Sequence, residues 1–317
     1  MTTPKNTGYK AYAAAPFMMT VLYFLASVAF WLTFKDMSTV IFFIILAVIF
    51  ISFMSLYAVV PINAKNAIRV TNIFLISLLL FGLACIFERQ NFQIEGFFFY
   101  LFSGAFGGVM VHFIVGKIIG PIFTGRSWCG WGCWTLMVLD LLPFKKSSGW
   151  KYGNINKLKY IHLVLSLASV AVMVFIFHYV IHDPNQARDQ PGLMKAMYWF
   201  LIGNVFYYVS AIFLAVSLKD NRAFCKYLCP VSVLLKFSNL FSLLRIKGNK
   251  DKCARCNTCV EQCPFNIDIP KYIEQGTRVK SSECVMCMRC IAVCPESALC
   301  ASIGFDVVTK DYLRRYK

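Results

Sequence analysis

Two cysteine runs near the C-terminal end decide how this chain folds. The first is CARCNTCVEQCP at residues 253–264, and the second is CVMCMRCIAVCP at residues 284–295. Both follow the spacing C-x2-C-x2-C-x3-C-P. Three closely spaced thiolates wrap three corners of an iron–sulfur cubane, and the fourth cysteine of such a run reaches across to the other cluster. The spacing therefore predicts two [4Fe–4S] clusters.

The crossed pattern assigns four thiolates to each predicted cluster. The first set is Cys253, Cys256, Cys259 and Cys294, and the second set is Cys284, Cys287, Cys290 and Cys263. Zinc ribbons also use C-x-x-C pairs, but a zinc site would leave the third cysteine of each triplet without a role. We therefore expect residues 247–302 to form an α+β domain like a bacterial two-cluster ferredoxin, with residues 303–317 as a C-terminal tail.

Residues 1–246 are too apolar for a fold that faces water. Apolar residues make up 58% of the chain, against about 45–50% in soluble domains. They occur in blocks, and a helix needs about 20 apolar residues to cross a bilayer. Six blocks meet this length: Pro16–Phe34, Thr39–Val60, Val70–Phe87, Phe97–Ile119, Tyr160–Ile181 and Met197–Leu218. The sequence predicts an all-α transmembrane bundle of six helices.

The loops between these blocks differ in charge, which predicts their orientation. One set of loops carries Lys5, Lys10, Lys65, Arg69, Arg126, Lys145, Lys146, Lys151, Lys157, Lys159, Lys219, Arg222 and Lys226. The other set carries only Lys35, Arg89, Arg188 and Lys195. We therefore expect a multi-pass protein of the cytoplasmic membrane, with both termini and the ferredoxin domain in the cytoplasm. The net charge of +17 fits basic loops beside anionic lipid, so no nucleic-acid partner is expected.

Two further apolar segments flank the bilayer without crossing it. Trp134 to Phe144 is too short to span, and Val231 to Ile246 is interrupted by Lys236 and Arg245. Both suit interfacial amphipathic helices, and the alternative is that they cap the bundle without touching lipid. Lys117, near the end of the fourth block, is expected to extend its ammonium to the inner surface.

A second cysteine motif occurs twice. RSWCGWGC at residues 126–133 aligns with RAFCKYLC at residues 222–229. On a helix, cysteines four apart share a face, so four thiolates could serve one additional cluster or metal: Cys129, Cys133, Cys225 and Cys229. They could also act as a redox-active dithiol, or simply pack helices. Arg126 and Arg222 would lower thiolate pKa values and offset cluster charge.

The repeated motif, the six blocks and the two-cluster domain together resemble the polytopic polyferredoxins of anaerobic respiration. This group includes NapH-like quinol-dehydrogenase subunits and the membrane portion of NosR-like proteins. The resemblance covers the chain from about Gly104 onward. It implies electron flow between the quinone pool or a cytoplasmic carrier and a partner redox protein across the membrane, and bound quinone is compatible with it.

The sequence departs from this family in two ways. The family pattern is C-x3-C-P twice; Cys229-Pro230 follows it, but Cys133 is followed by Trp134. The flavin-binding domain of NosR-like members is not found in the sequence, so we expect any outer redox partner to be a separate membrane or extracytoplasmic subunit.

The four histidines are candidates for haem ligands: His112, His162, His178 and His182. An axial pair needs matched depths, and His112 and His178 lie at different ones, so hydrogen-bonded bundle histidines are the simpler interpretation.

Three functions are compatible with these features. The first is an electron-transfer subunit rather than a stand-alone catalyst. The second is an assembly or regulatory factor that reduces or hands over a metal to a respiratory enzyme through its C-x3-C motifs. The third is a transporter with a redox-sensing domain, which the scarcity of ionisable residues in the apolar blocks disfavours.

Overall fold

The computed structural model describes residues 9–34, 37–83, 89–106, 108–144, 149–151, 154–179, 191–306 and 311–316. The described chain is mainly helical as far as residue 239. They are α1 Ala14–Phe34, α2 Met37–Val59, α3 Ile62–Gly82, α4 Ile94–Ser103, α5 Gly108–Phe113, α6 Gly120–Thr124, α7 Ser127–Trp131, α8 Trp134–Leu139, α9 Leu158–Ala171, α10 Pro191–Leu218, α11 Ala223–Tyr227 and α12 Val231–Asn239. Two π-helical stretches, Ile114–Ile119 and Val172–Ile176, continue α5 and α9.

Four of the described helical stretches are long and apolar enough to cross a bilayer: Val40–Val59, Ile62–Gly82, Asn154–Ile176 and Met194–Leu218. A fifth candidate exists if Val109–Thr124 and Ser127–Leu139, which meet at 100°, count as one broken span. Ala14–Ala29 is a shorter apolar helix. The chain is thus a multi-pass membrane protein with four or five candidate spans, and the number six stays a prediction.

The predicted fourth span, Phe97–Ile119, is not one helix. Helix α4 ends at Ser103, where Gly104 adopts a left-handed conformation (φ 68°) and its N–H returns to the carbonyls of Tyr100 and Leu101. Glycine takes this conformation without the steric cost of a Cβ, which is why it ends helices. Helix α5 starts again at Gly108.

The third span also begins earlier than predicted, at Ile62 instead of Val70. Lys65 and Arg69, expected in a loop, lie inside α3 and are buried. Lys65 donates to the carbonyl of Tyr57, and Arg69 donates to the carbonyl of Gly130 at 3.1 Å. Because partners elsewhere in the protein satisfy these cations, they do not end the helix.

The two segments predicted to be interfacial differ from each other. Trp134 to Phe144 contains α8, whose Trp134, Leu136 and Leu139 are buried, and which packs against α3 and α10. It therefore caps the bundle. The segment Val231 to Ile246 is not one helix: α12 ends at Asn239, and the last residues of the segment enter a β-strand.

The cysteine-rich region is a small α+β unit. Its strands are β2 Leu244–Gly248 and β3 Leu299–Ile303, which pair antiparallel with Ile246 opposite Ala301. Its short helices are α13 Thr258–Glu261, α14 Ile269–Glu274 and α15 Arg289–Ala292. Two more strands, β1 Trp150–Lys151 and β4 Arg315–Tyr316, pair in parallel. The domain was expected to begin at residue 247, but β2 begins at Leu244. The sheet therefore includes three residues before that expected boundary.

The two cysteine runs fold alike. Each has two non-glycine residues at positive φ inside it and a third two residues after its end: Arg255, Asn257 and Asn266 for the first, and Met286, Met288 and Ser297 for the second. Corresponding members are 31 residues apart, as the cysteines are. A left-handed conformation costs such residues about 1–2 kcal/mol, and conformations of this kind concentrate at ligand sites. The backbone therefore bends in the same way around the cysteines of both runs.

The helical part and the cysteine-rich part share one core. Gly130 of α7 lies against the second cysteine run so closely that an added Cβ would come within 2.3 Å of the Val285 carbonyl oxygen. Beside it, the Trp131 indole donates to the Met286 carbonyl at 2.9 Å. No side chain larger than hydrogen fits at position 130.

We expect Gly130→Ala to lower the free energy of unfolding by about 1–3 kcal/mol, the usual cost of overpacking a tight contact. Gly82→Ala in α3 is the matched control, because an added Cβ there meets nothing within 4 Å and alanine favours a helix. Denaturant titration in detergent measures both variants. Equal stability of the two would show that the contact at Gly130 is not tight.

Candidate iron–sulfur and four-thiol sites

Two cavities in the cysteine-rich region are walled by thiols. The first is lined by Cys253, Cys256, Cys259 and Cys294, among apolar residues such as Ile273 and Leu299. The second is lined by Cys263, Cys284, Cys287 and Cys290, among apolar residues such as Phe265 and Val285. Each cavity thus combines three cysteines of one run with the fourth cysteine of the other.

The donor set in each cavity fits a [4Fe–4S] cluster. Four thiols surround a mostly apolar space in each, and among the described residues no three His, Cys, Asp or Glu side chains converge tightly enough for a single metal ion. Burial raises the pKa of Cys259 and of Cys284 to about 12. Cluster iron would supply the positive charge that holds such thiols deprotonated.

The two cavities differ in their access to solvent. Cys256 of the first cavity is exposed, and the Thr258 hydroxyl donates to its sulfur at 3.4 Å. In the second cavity Cys263, Cys287 and Cys290 are buried. The first cavity therefore faces solvent, and the second lies deeper in the protein.

The C-x3-C motifs come together beside the bundle. Both lie around five-residue helices, α7 and α11. Cys225 lies within electrostatic range of Cys129 and Cys133, and Cys229 lies within range of the other three. Burial raises the pKa of the Cys225 thiol to about 12, with Arg222 opposing it. We call these four residues the four-thiol group.

The four-thiol group adjoins the second cavity. Gly130, between Cys129 and Cys133, contacts the Val285 and Cys287 backbone. Lys226, between Cys225 and Cys229, donates to the side chain of Asn266 at 3.0 Å, three residues after Cys263. The three sets of cysteines therefore follow one another from solvent towards the bundle.

Comparisons with known proteins identify the cysteine-rich region and relatives of the whole chain. Residues 252–299 match the 4Fe-4S dicluster domain family. The chain is 27% identical over 203 residues to the ferredoxin-type protein NapH of Haemophilus influenzae. The aligned residues cover 58% of this chain and 65% of NapH. It is 26% identical over 195 residues to the methylamine utilization ferredoxin-type protein MauN of Paracoccus denitrificans. The aligned residues cover 58% of this chain and 67% of MauN.

The chain is a membrane polyferredoxin of the NapH and MauN family. An uncharacterized protein of Methanocaldococcus jannaschii is 27% identical over 212 residues, covering 62% of this chain and 72% of that protein. No solved structure matches the chain significantly. The dicluster domain implies two [4Fe–4S] clusters, so the polyferredoxin is an iron–sulfur electron-transport protein of the membrane.

A buried ion network fixes the polyferredoxin's second cysteine run to its bundle. Glu283, directly before Cys284, accepts a hydrogen bond from Arg126 at 2.6 Å and lies 3.2 Å from both Lys159 and Lys236. Burial by itself would raise the pKa of Glu283, but these three cations outweigh it and lower the pKa to about 2. The carboxylate is therefore charged at every physiological pH.

A second buried carboxylate, Asp140, pairs with an arginine of one C-x3-C motif and with two other arginines. Asp140 pairs with Arg69 at 2.6 Å, with Arg222 at 3.4 Å and with Arg289 at 3.9 Å. Arg222 begins the second C-x3-C motif and Arg289 lies in the second cysteine run, so one carboxylate joins three parts of the polyferredoxin.

Sequence reasoning missed two buried charges near the cysteines. Glu283 carried no signal, since one acid beside a cysteine run is ordinary. Lys117 was expected at the inner surface, and that prediction is wrong: it is 3% exposed. Its ammonium lies 4.1 Å from the Phe113 ring and 4.9 Å from the Trp134 ring, within electrostatic range of three thiols of the four-thiol group. The aromatic rings and the thiols around the ammonium take the place of water.

The surroundings of His112 and His162 do not favour haem ligation. His112 is buried among Phe92, Trp128 and Trp134, whereas the His162 ring lies 2.9 Å from the Leu228 carbonyl. His182 lies outside the described residues.

We expect Glu283→Gln to lower the free energy of unfolding by about 3–5 kcal/mol, because breaking a buried ion pair leaves charge uncompensated. The folded pKa near 2 lies below the ordinary value of 4.5, so the stabilisation is complete above about pH 4.5 and is lost as pH falls towards 2. The deficit of the variant should be constant between about pH 5 and 8. Denaturant titration at several pH values measures it.

Glu274→Gln is the control for this prediction. Glu274 pairs with Arg255 at 3.4 Å, but the side chains are 47% and 66% exposed, and such surface pairs contribute less than about 1 kcal/mol. A deficit of Glu283→Gln no larger than that of Glu274→Gln would contradict the role assigned to the network.

Proposed function

We propose that this polyferredoxin relays electrons between a soluble carrier, its two [4Fe–4S] clusters and a redox group held by the four-thiol group. The observation that carries the proposal is the contact of Gly130 with the Val285 and Cys287 backbone. It puts the centre of one C-x3-C motif against the wall of the second cavity, so an electron there has a short packed path to the membrane side.

The eight ferredoxin cysteines are the cluster ligands in this proposal. The first cluster is held by Cys253, Cys256, Cys259 and Cys294, and the second by Cys284, Cys287, Cys290 and Cys263. The composition of the two cavities supports the crossed assignment. The exposed Cys256 makes the first cluster the point of exchange with a soluble partner.

The four-thiol group holds a third iron–sulfur cluster in this proposal. Four thiols lie there within electrostatic range of one another, next to the two motif arginines and Lys117, whose positive charges offset the negative charge of a thiolate-bound cluster. A mononuclear zinc or copper site is less suitable, because among the described residues the thiols do not converge tightly enough for a single ion.

The proposed orientation of the protein in the membrane follows from the charge of its loops. The excess of Lys and Arg in the loops on the cysteine side supports a cytoplasmic position for the ferredoxin unit, with a cytoplasmic carrier or enzyme as the soluble partner. The membrane-side terminal then exchanges electrons with the quinone pool or with a partner redox subunit.

Delivery of a metal to a respiratory enzyme is the alternative function, and it needs four thiols that bind copper without iron. Copper titration of the purified protein distinguishes the two: tight copper binding lost in a Cys129→Ser/Cys225→Ser variant, together with a lack of iron at these residues, favours delivery.

The crossed ligation predicts which single variants behave alike. Cys294→Ser should lose the same cluster as Cys256→Ser, and Cys263→Ser the same cluster as Cys287→Ser, each falling from about eight to about four irons at the ferredoxin unit. Electron paramagnetic resonance of the reduced variants compares the signals that remain. A Cys263→Ser spectrum that matched Cys256→Ser instead would contradict the crossed assignment.

The third cluster is tested by counting iron. We expect about twelve irons per chain, since three cubanes each hold four, and about eight in Cys129→Ser/Cys225→Ser. Cys300→Ser is the control, because Cys300 is half-buried and belongs to none of the three sets, and it should keep all twelve. About eight irons in the unmodified protein, with every signal retained in the double variant, would refute the third cluster.

A further inference from the structure

Helix α12 buries polar side chains and exposes an apolar one. Its buried members are Ser232, Leu235, Ser238 and Asn239. The Asn239 amide donates to the Ser282 carbonyl at 3.0 Å, just before the second cysteine run, whereas Phe237 is 69% exposed. A helix that faces water turns its apolar side inwards and its polar side outwards. The outer side of α12 therefore suits surroundings that are less polar than water.

The end of the β2–β3 sheet extends this exposed apolar surface. There the Gly304 N–H donates to the Leu243 carbonyl at 3.0 Å, which brings together the residues that flank the two strands. Three large apolar side chains beside this bond are exposed: Phe241 (40%), Ile303 (48%) and Phe305 (72%). We call Phe237, Phe241, Ile303 and Phe305 the apolar rim. The described part of the chain leaves all four of them exposed.

The backbone on both sides of Phe305 is held by one arginine. The Arg278 guanidinium donates to the Gly304 carbonyl at 2.6 Å and pairs with the Asp306 carboxylate. It also donates to the Leu243 carbonyl at 2.9 Å. The most exposed ring of the rim is thus presented from a fixed backbone, and contiguous exposed apolar side chains mark surfaces that contact a protein or a membrane.

The rim adjoins apolar surface of the helical bundle on two sides. The Leu243 N–H donates to the carbonyl of Ile122 at 2.8 Å, and the Ile122 side chain is 36% exposed on the candidate span that contains Val109–Thr124. Helix α12 also packs against α9, where Ile161 is 52% exposed on the candidate span Asn154–Ile176. Exposed apolar side chains on membrane spans face lipid, so the rim continues a lipid-facing surface.

We propose that the apolar rim lies in the headgroup region of the bilayer and binds phospholipid, so that one end of the ferredoxin unit is embedded in the membrane surface. Apolar faces of interfacial segments enter the boundary between headgroups and acyl chains by about 5–10 Å. The inference is independent of the number of clusters and of the direction of electron flow.

The proposal commits to lipid because of the rim's neighbours. A second copy of the chain or a partner subunit could also cover apolar side chains. Such a protein would have to displace lipid from Ile122 and Ile161 as well, since both adjoin the rim. Phospholipid covers the rim and these neighbours together.

An embedded rim also sets the position of the first cavity. Leu299, which lines that cavity, is at the opposite end of β3 from Ile303. A five-residue strand separates its ends by about 13 Å. The rim end of the sheet is therefore in the membrane surface while the first cavity, with its exposed Cys256, is in water.

The test uses the full-length protein in nanodiscs of phosphatidylcholine. Trifluoromethylphenylalanine replaces Phe305, Lys250 or Phe213, one position at a time, and fluorine NMR records each signal. A phosphatidylcholine with a nitroxide near its headgroup, and separately a soluble gadolinium chelate, broaden nearby signals. The lipid nitroxide should relax the probe at 305 about fivefold more strongly than the probe at 250, because an interfacial face lies within about 10 Å of that nitroxide. The chelate should give the reverse order.

The other two positions are controls. Lys250 is exposed and lies beyond the opposite end of β2, and Phe213 is 67% exposed on the candidate span Met194–Leu218, so it should respond to the lipid nitroxide and not to the chelate. Each signal is compared with discs without nitroxide, which removes any effect of the clusters, and unchanged iron content shows that the variants fold. A probe at 305 that the chelate relaxes as strongly as the probe at 250 would overturn the inference. Shielding of position 305 from both reagents would also overturn it, because a second copy of the chain would then cover the rim.

Discussion

The structure depends on one buried carboxylate, Glu283. Its charge is out of water and is balanced by Arg126, Lys159 and Lys236, which come from three separate segments of the helical part. A charge in this position is tolerable only with all its partners in place, so the network favours a single docked arrangement. Because Glu283 precedes Cys284 and Arg126 precedes Cys129, that arrangement also sets the second cavity beside the first C-x3-C motif.

The motif arginines therefore have a broader task than the sequence indicated. Beside a cysteine pair, an arginine is expected to act on the thiolates, and Arg126 and Arg222 do lie within electrostatic range of cysteines. Arg126, however, also pairs with Glu283 at 2.6 Å, and Arg222 contacts both Asp140 and the Cys129 carbonyl at 3.4 Å. Each arginine links one C-x3-C motif to a carboxylate, and Arg289 extends the Asp140 network into the second cysteine run. The same charged side chains therefore hold the cysteine-rich part against the bundle and contribute to the electrostatics of the thiol sites.

The parts that could be predicted from sequence are those fixed by local spacing. Cysteine runs bring their thiols together through short backbone turns, so two cavities that are each lined by four thiols could be predicted, and so could four or five of the apolar spans. The parts that could not be predicted depend on distant partners. Arg69 stays helical because Gly130 and Asp140 satisfy it, and Leu244 to Ile246 form a strand because residues 301–303 pair with them. Glu283 could not be recognised from the local sequence, because its role depends on the distant cations that pack against it.

The departure at Trp134 is best understood from the helices that follow the two C-x3-C motifs. Trp134 is the first residue of α8, and Pro230 immediately precedes the first residue of α12. Proline is favoured at a helix start but not required there, so a helix can begin directly after Cys133 without it. What changes is the side chain: the Trp134 ring packs on Phe200 and faces the Lys117 ammonium at 4.9 Å. The tryptophan helps to hold a cation beside the thiols, where a proline could not.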